Sequence, residues 1–341
     1  MNKLFLFIIF IFLNKYIYAN NLFETSYYNV EFTSQNIENN KIKEINQIKI
    51  DAILSIFKKT LNNYDYNEIT NNLSDDLINT FIKNIIINDE KIINDKYFSR
   101  VKINFSKKKI IEFFRKKNLS YVDYYPDNLL LIIYEDKIIN DNLFSENNNY
   151  YKYYKKNLEN NKLFKIPNLD INDRYILKKN DLVNSDLKKI KNFTDKYNVN
   201  EAILVFAKKN KNITNYTLSL YSEGQLLEKK IKFDKTSIEE FFIVLHNEIL
   251  NLWKKHHQIQ TSSLETINCS IKYFNFLELK EIRNKLKNIS KIKNLNIKSI
   301  SYKNTQYSIY FYGNLKILYN LFKINNLKVK RKNNICEIKL I

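Results

Sequence analysis

The sequence predicts an α+β protein: two αβ units with antiparallel sheets, followed by a C-terminal ferredoxin-like βαββαβ domain. Three observations carry this. Apolar residues recur every three or four positions in some segments and alternate strictly in others, so helical and strand periods are both present. From Thr266 onward the segments follow the order strand, helix, strand, strand, helix, strand. A hydrophobic fraction of 44% with 14% aromatics suits a chain that buries cores rather than a disordered one, and 341 residues leave room for more than one domain.

The first nineteen residues are set apart. Lys3 is a short basic start, Leu4 to Leu13 is an unbroken apolar run, and Ile17-Tyr18-Ala19 ends on a small residue where a signal peptidase would cut. A bilayer needs about twenty apolar residues. The expectation is therefore an exported protein of the periplasm or cell envelope, its signal peptide cleaved after Ala19; retention as an anchor is the alternative. No Cys follows the apolar run, which removes support for a lipid-anchored start.

A first αβ unit is expected over residues 20–145. Tyr28 to Phe32 alternates like a strand, and Ile42, Ile45, Ile48, Ala52, Ile53, Ile56 and Phe57 lie on one helical face. A second helix is expected over Leu73 to Ile87, then a strand over Tyr97 to Phe105. Ser106 is placed to cap a helix carrying Ile110, Ile111, Phe113 and Phe114, and Leu129 to Tyr134 reads as a buried strand. Residues 137–165, rich in Asn, Tyr and Lys, read as either a surface helix or a long connection.

A second unit, residues 146–260, reads helix (Asn184 to Tyr197), strand (Glu201 to Ala207), hairpin around Gly224, and a helix capped by Ser237 with Phe241, Phe242, Leu245, Ile249, Leu252 and Trp253 on one face. Residues 261–341 complete the chain. Thr266 to Tyr273, Ile297 to Tyr302, Tyr307 to Tyr312 and Leu327 to Leu340 read as strands, the last with a turn at Asn333-Asn334, and Leu277 to Ile289 and Leu315 to Ile324 as helices.

Charge is uneven. The chain carries a net +20, and the last 81 residues hold sixteen Lys and Arg against four acids. Ile, Asn, Lys and Tyr dominate throughout, the residue set of AT-rich coding, so part of this charge reflects codon usage. The basic positions expected to meet an anionic surface are Lys280, Arg283, Lys287, Lys330, Arg331 and Lys332. Cys269 and Cys336 fall in strands of the same small domain. In an oxidising compartment they would form one disulfide; two buried thiols fit the spacing equally.

Several chemistries lack their residues. With two glycines in the chain, a P-loop, a dinucleotide fingerprint or a nucleophile elbow has no glycines to build it. The histidines are His246, His256 and His257, with no Cys or carboxylate at ligand spacing, so no metal site and no cofactor are expected. Asp170, Asp173 and Asp181 cluster after Pro167, and they are either helix caps or the acids of an envelope hydrolase. Tyr307, Ile309 and Phe311 alternate with Ser308, Tyr310 and Tyr312 on a strand where RNA-recognition modules carry stacking aromatics. The glycine-containing motif of those modules is absent, and export would remove the protein from RNA, so no nucleic-acid partner is expected.

Four segments resemble a known family. They are Ala52-Ile53-Leu54-Ser55-Ile56-Phe57, Tyr97 to Phe105 with the helix after it, Leu129 to Tyr134, and Phe164 to Asp173 continued by Lys196 to Val205. In this order they are similar to the bacterial domain-of-unknown-function family 2066, exported proteobacterial proteins without assigned activity. The family's glycines and tryptophans are mostly replaced here, as at Asn198 and Ala207, and its Arg-Val-Thr-Gly is Lys58-Lys59-Thr60-Leu61. The resemblance implies an exported envelope protein and carries over no catalytic residue. Residues Asn184 to Trp253 also look similar to the αβ amino-terminal domain of TolB, an envelope assembly protein.

The expected function is a non-enzymatic periplasmic binding or assembly module whose partners are envelope proteins or an anionic envelope surface. A hydrolase using Asp170 to Asp181 and nucleic-acid binding through the basic domain are the alternatives.

Overall fold

A computed structural model describes residues 22–126, 128–136, 143–145, 147–158, 163–210, 213–222, 224–234, 237–332 and 335–341; the side chains of 209, 210, 213, 232–234, 331, 332 and 335 are outside the description. The expected signal segment lies outside the described residues. Helices and three sheets make an α+β protein. The chain forms two compact units, one of residues up to Asp123 together with Gln260–Ile341, the other Tyr124–Ile259.

In the first unit, β1 (Tyr28–Thr33), β2 (Ile82–Ile93) and β3 (Lys96–Phe105) make an antiparallel sheet in the order β1-β3-β2. Helices α1 (Ile37–Thr60), α2 (Asn63–Thr70) and α3 (Asp75–Phe81) precede β2, and α4 (Lys107–Lys116) follows β3. The α1 stripe buries Ile48, Ala52, Ile53, Ile56 and Phe57, and Phe57 packs edge-on against Phe81 and Phe114. Ser106 caps α4 as expected, accepting from the Lys109 N–H.

The helix expected over Leu73 to Ile87 is shorter than its pattern. It stops at Phe81, and Ile82–Ile93 is a strand. A run of β-branched residues, Ile85, Ile86 and Ile87, finds a partner in β3, and the hairpin closes through Asn94 and Asp95, both with positive φ (47° and 61°). Two left-handed residues are what a tight hairpin turn demands.

The second unit is a five-stranded sheet, β5-β4-β6-β7-β8: β4 (Leu129–Glu135), β5 (Phe164–Lys165), β6 (Glu201–Asn210), β7 (Ile213–Ser222) and β8 (Gln225–Asp234). Strand β4 was expected in the first unit, but it pairs parallel with β5 and β6 and so belongs here, which moves the boundary from near residue 145 to Asp123. A strand apolar on both faces needs cover on both, and here Leu129 to Tyr134 are all buried. Leu130, Ile132 and Tyr134 pack with Phe144, Leu177, Ile190 and Phe193 on one side.

Of residues 137–165, open between a surface helix and a connection, Asn149–Asn157 forms helix α5, while 137–142, 146 and 159–162 lie outside the described residues. Because β5 meets only Leu129 and Leu130, the rest of that edge of β4 has no strand partner among the described residues. Helix α5 serves instead: the Ile133 N–H donates to the Tyr151 hydroxyl at 3.0 Å, and the Asn148 amide donates to the Ile133 carbonyl at 3.3 Å. Buried backbone groups are thereby paired without a strand. Short helices α6 (Ile171–Ile176) and α7 (Lys179–Val183) lead to α8 (Leu187–Lys196), and α9 (Ile238–His257) starts on a Ser237–Glu240 capping box.

Residues 264–340 contain β9 (Leu264–Lys272), α10 (Phe276–Asn288), β10 (Ile292–Ser301), β11 (Asn304–Tyr312), α11 (Leu315–Ile324), β12 (Leu327–Lys332) and β13 (Ile335–Leu340), with sheet order β10-β11-β9-β13-β12. The expected βαββα order is present. The last strand region is a hairpin, and β13 inserts parallel to β9, leaving β12 at the edge. Cys269 and Cys336 stand opposite one another in that parallel pair, Cα atoms 4.4 Å apart, joined as a disulfide. It closes a loop of sequence separation 67, for which chain entropy gives about 4 kcal/mol.

Both glycines, Gly224 and Gly313, have positive φ, but most left-handed positions are filled by Asn or Asp, including Asn118, Asn128, Asn198 and Asn326. These tolerate that region better than other residues with a Cβ.

Lys291 is fully buried, its ammonium 5.7 Å from the Phe311 ring and without a hydrogen-bond partner among the described residues. Burial pushes its pKa down from 10.5 to about 8. The unfolded chain therefore binds more protons than the native one between these values, and stability rises with pH across that window. Replacing Lys291 by Met is expected to stabilise the protein by about 2–3 kcal/mol at pH 7 and to flatten the rise between pH 8 and 9.5, measured by chemical denaturation; an unchanged slope would refute this.

Candidate functional site

One face of the C-terminal sheet is covered and the other is open. Tyr307, Ile309 and Phe311 of β11, Cys269 and Ile271 of β9, and Cys336 and Ile338 of β13 are buried beneath helices that contribute Leu279, Ile282, Leu286, Leu318, Leu321 and Phe322. Alternate residues face the other way: Thr266, Asn268, Gln306, Asn294 and Asn296 are exposed, Ser270, Tyr310 and Tyr312 half-buried. Hydrogen bonds between neighbours order this polar face. Ser308 donates to Asn268 at 3.0 Å and Ser270 to Asn304 at 2.5 Å.

Its charge is basic. Lys272, Lys328, Lys330 and Lys339 are exposed on the open side, against Glu337 as the acid among the described residues of this face. Glu337 takes Lys272 at 2.9 Å and Lys339 at 3.0 Å, and those hydrogen bonds hold its carboxyl below the usual glutamate range. The strand register explains the array: Val329 and Ile338 point to the core, so Lys328, Lys330, Glu337 and Lys339 must point outward.

The predicted basic positions do not form one patch. Lys280 and Lys287 are exposed and Arg283 half-buried on α10, in the helical layer, whereas Lys330 projects from the uncovered side of β12. Arg331 and Lys332 have their backbone in β12, and their side chains are outside the description. Lys272, Lys328 and Lys339 were missed because a lone lysine in an alternating strand shows its meaning only once the strand has neighbours.

The stacking aromatics sort by face as well. Tyr307 and Phe311 are in the core, and Tyr312 carries the Arg115 guanidinium 4.6 Å above its ring. Tyr310 remains on the open side, half-buried.

The acidic loop of the second unit is occupied with local structure. Asp170 caps α6 by accepting from the Asp173 N–H at 2.9 Å, and Asp181 accepts from the Lys178 N–H at 2.9 Å at the start of α7. Asp173 is fully buried and takes Lys196 Nζ at 2.6 Å, the Tyr197 hydroxyl at 2.6 Å and the Leu169 N–H at 3.0 Å. Leu169 has φ +64°, a strained setting for a leucine that this bond holds in place.

A second buried polar cluster escaped the sequence reading. Glu201, at the start of β6, accepts from His257 Nε2 at 2.7 Å, Trp253 Nε1 at 2.8 Å and Ser222 Oγ at 2.6 Å, while His257 Nδ1 meets the Tyr124 hydroxyl at 2.8 Å. Burial works to raise the Glu201 pKa, but the bonds from His257, Ser222 and Trp253 overcome it and the carboxyl lies below its ordinary value. His257 is 2% exposed, which suits a tie between the first and last residues of this unit rather than chemistry on a substrate. No spacing in the sequence marks these five residues. Among the described residues no cluster of His, Cys, Asp and Glu has the makings of a metal site, and no helix is long and apolar enough to cross a membrane.

No protein-family model matches the chain, and no curated protein matches it in sequence. Among solved structures, the C-terminal domain of LpoB from Salmonella enterica is similar over 36% of this chain and 92% of that one, at 11% identity and a TM-score of 0.22. A likeness that slight carries no argument.

If the acidic loop is structural, Asp173→Asn should lower stability by about 3 kcal/mol, because it leaves Lys196 without its buried partner. Asp170→Ala should cost about 1 kcal/mol, the worth of an N-cap. Thermal or denaturant unfolding of both variants checks this ranking; equal, negligible losses would return the loop to candidate chemistry.

Proposed function

We propose that this protein is an exported, non-enzymatic module of the bacterial cell envelope that holds an anionic surface against the open face of its C-terminal sheet. The observation that carries the reading is that face: four exposed lysines around one glutamate, on a sheet whose other side is sealed by two helices. A rigid sheet bearing spaced ammonium groups suits many weak contacts with repeated negative charges, as on lipid head groups or an acidic envelope polymer. The signal-like pattern of residues 1–19, the Cys269–Cys336 bridge and the resemblance to the exported family 2066 support export. Family membership itself is part of the proposal and rests on the four segments quoted above.

The two alternatives draw less from the geometry. Hydrolysis would need carboxylates free to act, whereas Asp170, Asp173 and Asp181 are spent on caps and an ion pair. Base stacking would have Tyr310 as its platform, since Tyr312 is already beneath Arg115.

Fractionation of cells expressing the protein, with mass determination of its N-terminus, is expected to give a form beginning at Asn20 in the periplasmic or envelope fraction; an intact cytosolic chain would refute export. Retention on isolated envelope should fall steeply between low and physiological salt. The variant Lys328→Glu/Lys330→Glu/Lys339→Glu should lose at least ten-fold in retention with its circular dichroism unchanged. Salt-independent retention, or full binding by that variant, would refute the electrostatic reading.

A further inference from the structure

Eight described apolar or aromatic side chains are at least 70% exposed, and five of them share one end of the C-terminal sheet: Phe274 (81%), Phe276 (70%), Leu277 (74%), Ile300 (70%) and Tyr302 (87%). The other three, Tyr64, Tyr175 and Ile341, are scattered. Scattered apolar residues need no explanation, but a contiguous group does.

Two tips make the group. Phe274, Phe276 and Leu277 lie where β9 runs into α10, and Ile300 and Tyr302 lie at the β10–β11 turn. The tips are joined: Asn304 pairs with Lys272, the Tyr273 N–H donates to the Lys303 carbonyl at 3.1 Å, and the Tyr273 hydroxyl meets Thr305 Oγ1 at 3.2 Å. The first tip is held from below as well. Asn275 caps α10 by accepting from the Glu278 N–H at 2.9 Å, and the Glu278 carboxylate accepts from the Phe274 N–H at 2.6 Å. These side chains are thus displayed outward by ordered backbone rather than left over on a loose end.

Around the apolar apex stand cations. Lys303 Nζ is 5.2 Å from the Tyr302 ring, and Lys272, Lys280 and Lys298 are exposed nearby in the chain. Of the acids in this stretch, Glu278 is engaged with the backbone and Glu281 pairs with Lys285 at 3.3 Å. Exposed Phe, Leu and Ile accompanied by Tyr and Lys are the residue set that enters a bilayer interface: apolar groups reach the acyl boundary, and tyrosine rings and lysine ammoniums rest among the head groups.

We propose that this apex docks the protein onto the surface of an anionic phospholipid bilayer. The proposal rests on the envelope reading above and narrows it from an anionic surface to a lipid one. Apolar insertion and lysine attraction together are the two signals that stable interfacial binding requires. The commitment to lipid rather than a protein groove comes from charge complementarity and from the projecting form of the two tips.

The test uses the full mature chain with vesicles of phosphatidylglycerol and phosphatidylethanolamine, and phosphatidylcholine vesicles as the neutral control. Sedimentation is expected with the anionic vesicles alone. The variant Phe274→Ser/Phe276→Ser/Leu277→Ser should bind them at least ten-fold more weakly. In a separate variant, Phe276→Trp, the added indole fluorescence should shift to the blue and be quenched by brominated acyl chains. Full vesicle binding by the serine variant, or a tryptophan that stays water-exposed on bound protein, overturns the proposal. Failure to bind vesicles, with salt-sensitive retention on native envelope intact, overturns it too while leaving the sheet-face reading standing; loss of both overturns both.

Discussion

A sheet of five strands served by two crossover helices can bury one of its faces. The right-handed rule for crossovers sets the helices between β9 and β10 and between β11 and β12 on the same side, and the apolar residues of alternate strand positions are buried there. The opposite side must then tolerate water, and it does so mainly with Asn, Ser, Thr, Gln and Lys, beside Tyr310, Tyr312 and Glu337. The candidate site is the consequence of this constraint, since the residues that could not be buried are those presented.

The sheet of the second unit shows the contrast. Its interior strand β4 is apolar and buried along both faces, and Ile190 and Phe193 of α8 pack with Leu130 and Ile132 on one of them. Two of its carboxylates are turned inward. Asp173 and Glu201 each accept several hydrogen bonds, which offsets the cost of burying a carboxylate. The polar clusters most like an active site in composition are therefore those that hold the fold.

The bias toward Asn, Lys, Ile and Tyr shapes how these ends are met. Left-handed turn positions that glycine would fill are taken by Asn and Asp, at the price of some strain at Leu169 and Lys303. Core positions rely on Ile, Phe and Tyr, and buried tyrosines such as Tyr151 and Tyr197 use their hydroxyls to pair backbone or carboxylate groups. Lysine enrichment gives the whole chain its net positive charge, and strand alternation sorts part of it onto one face.

Much of the fold was legible in the sequence because periodicity is local. Ser106 and Ser237 marked helix starts, the Gly224 turn marked a hairpin, and the βαββα order of the last domain followed from alternation and helical spacing. What could not be read was partnership. Leu129 to Tyr134 announced a buried strand, but only its parallel pairing with Glu201 to Ala207 decided which sheet it joined. Ile82 to Ile87 fits a helix until β3 offers a partner. For the site, the sequence determined that the C-terminal domain is basic, yet a charge count cannot separate the helical layer of Lys280 and Lys287 from the sheet face of Lys328, Lys330 and Lys339. That division, and the meeting of Phe274, Phe276 and Leu277 with Ile300 and Tyr302, belongs to tertiary structure alone, because strand register is what sets residues far apart in the chain side by side.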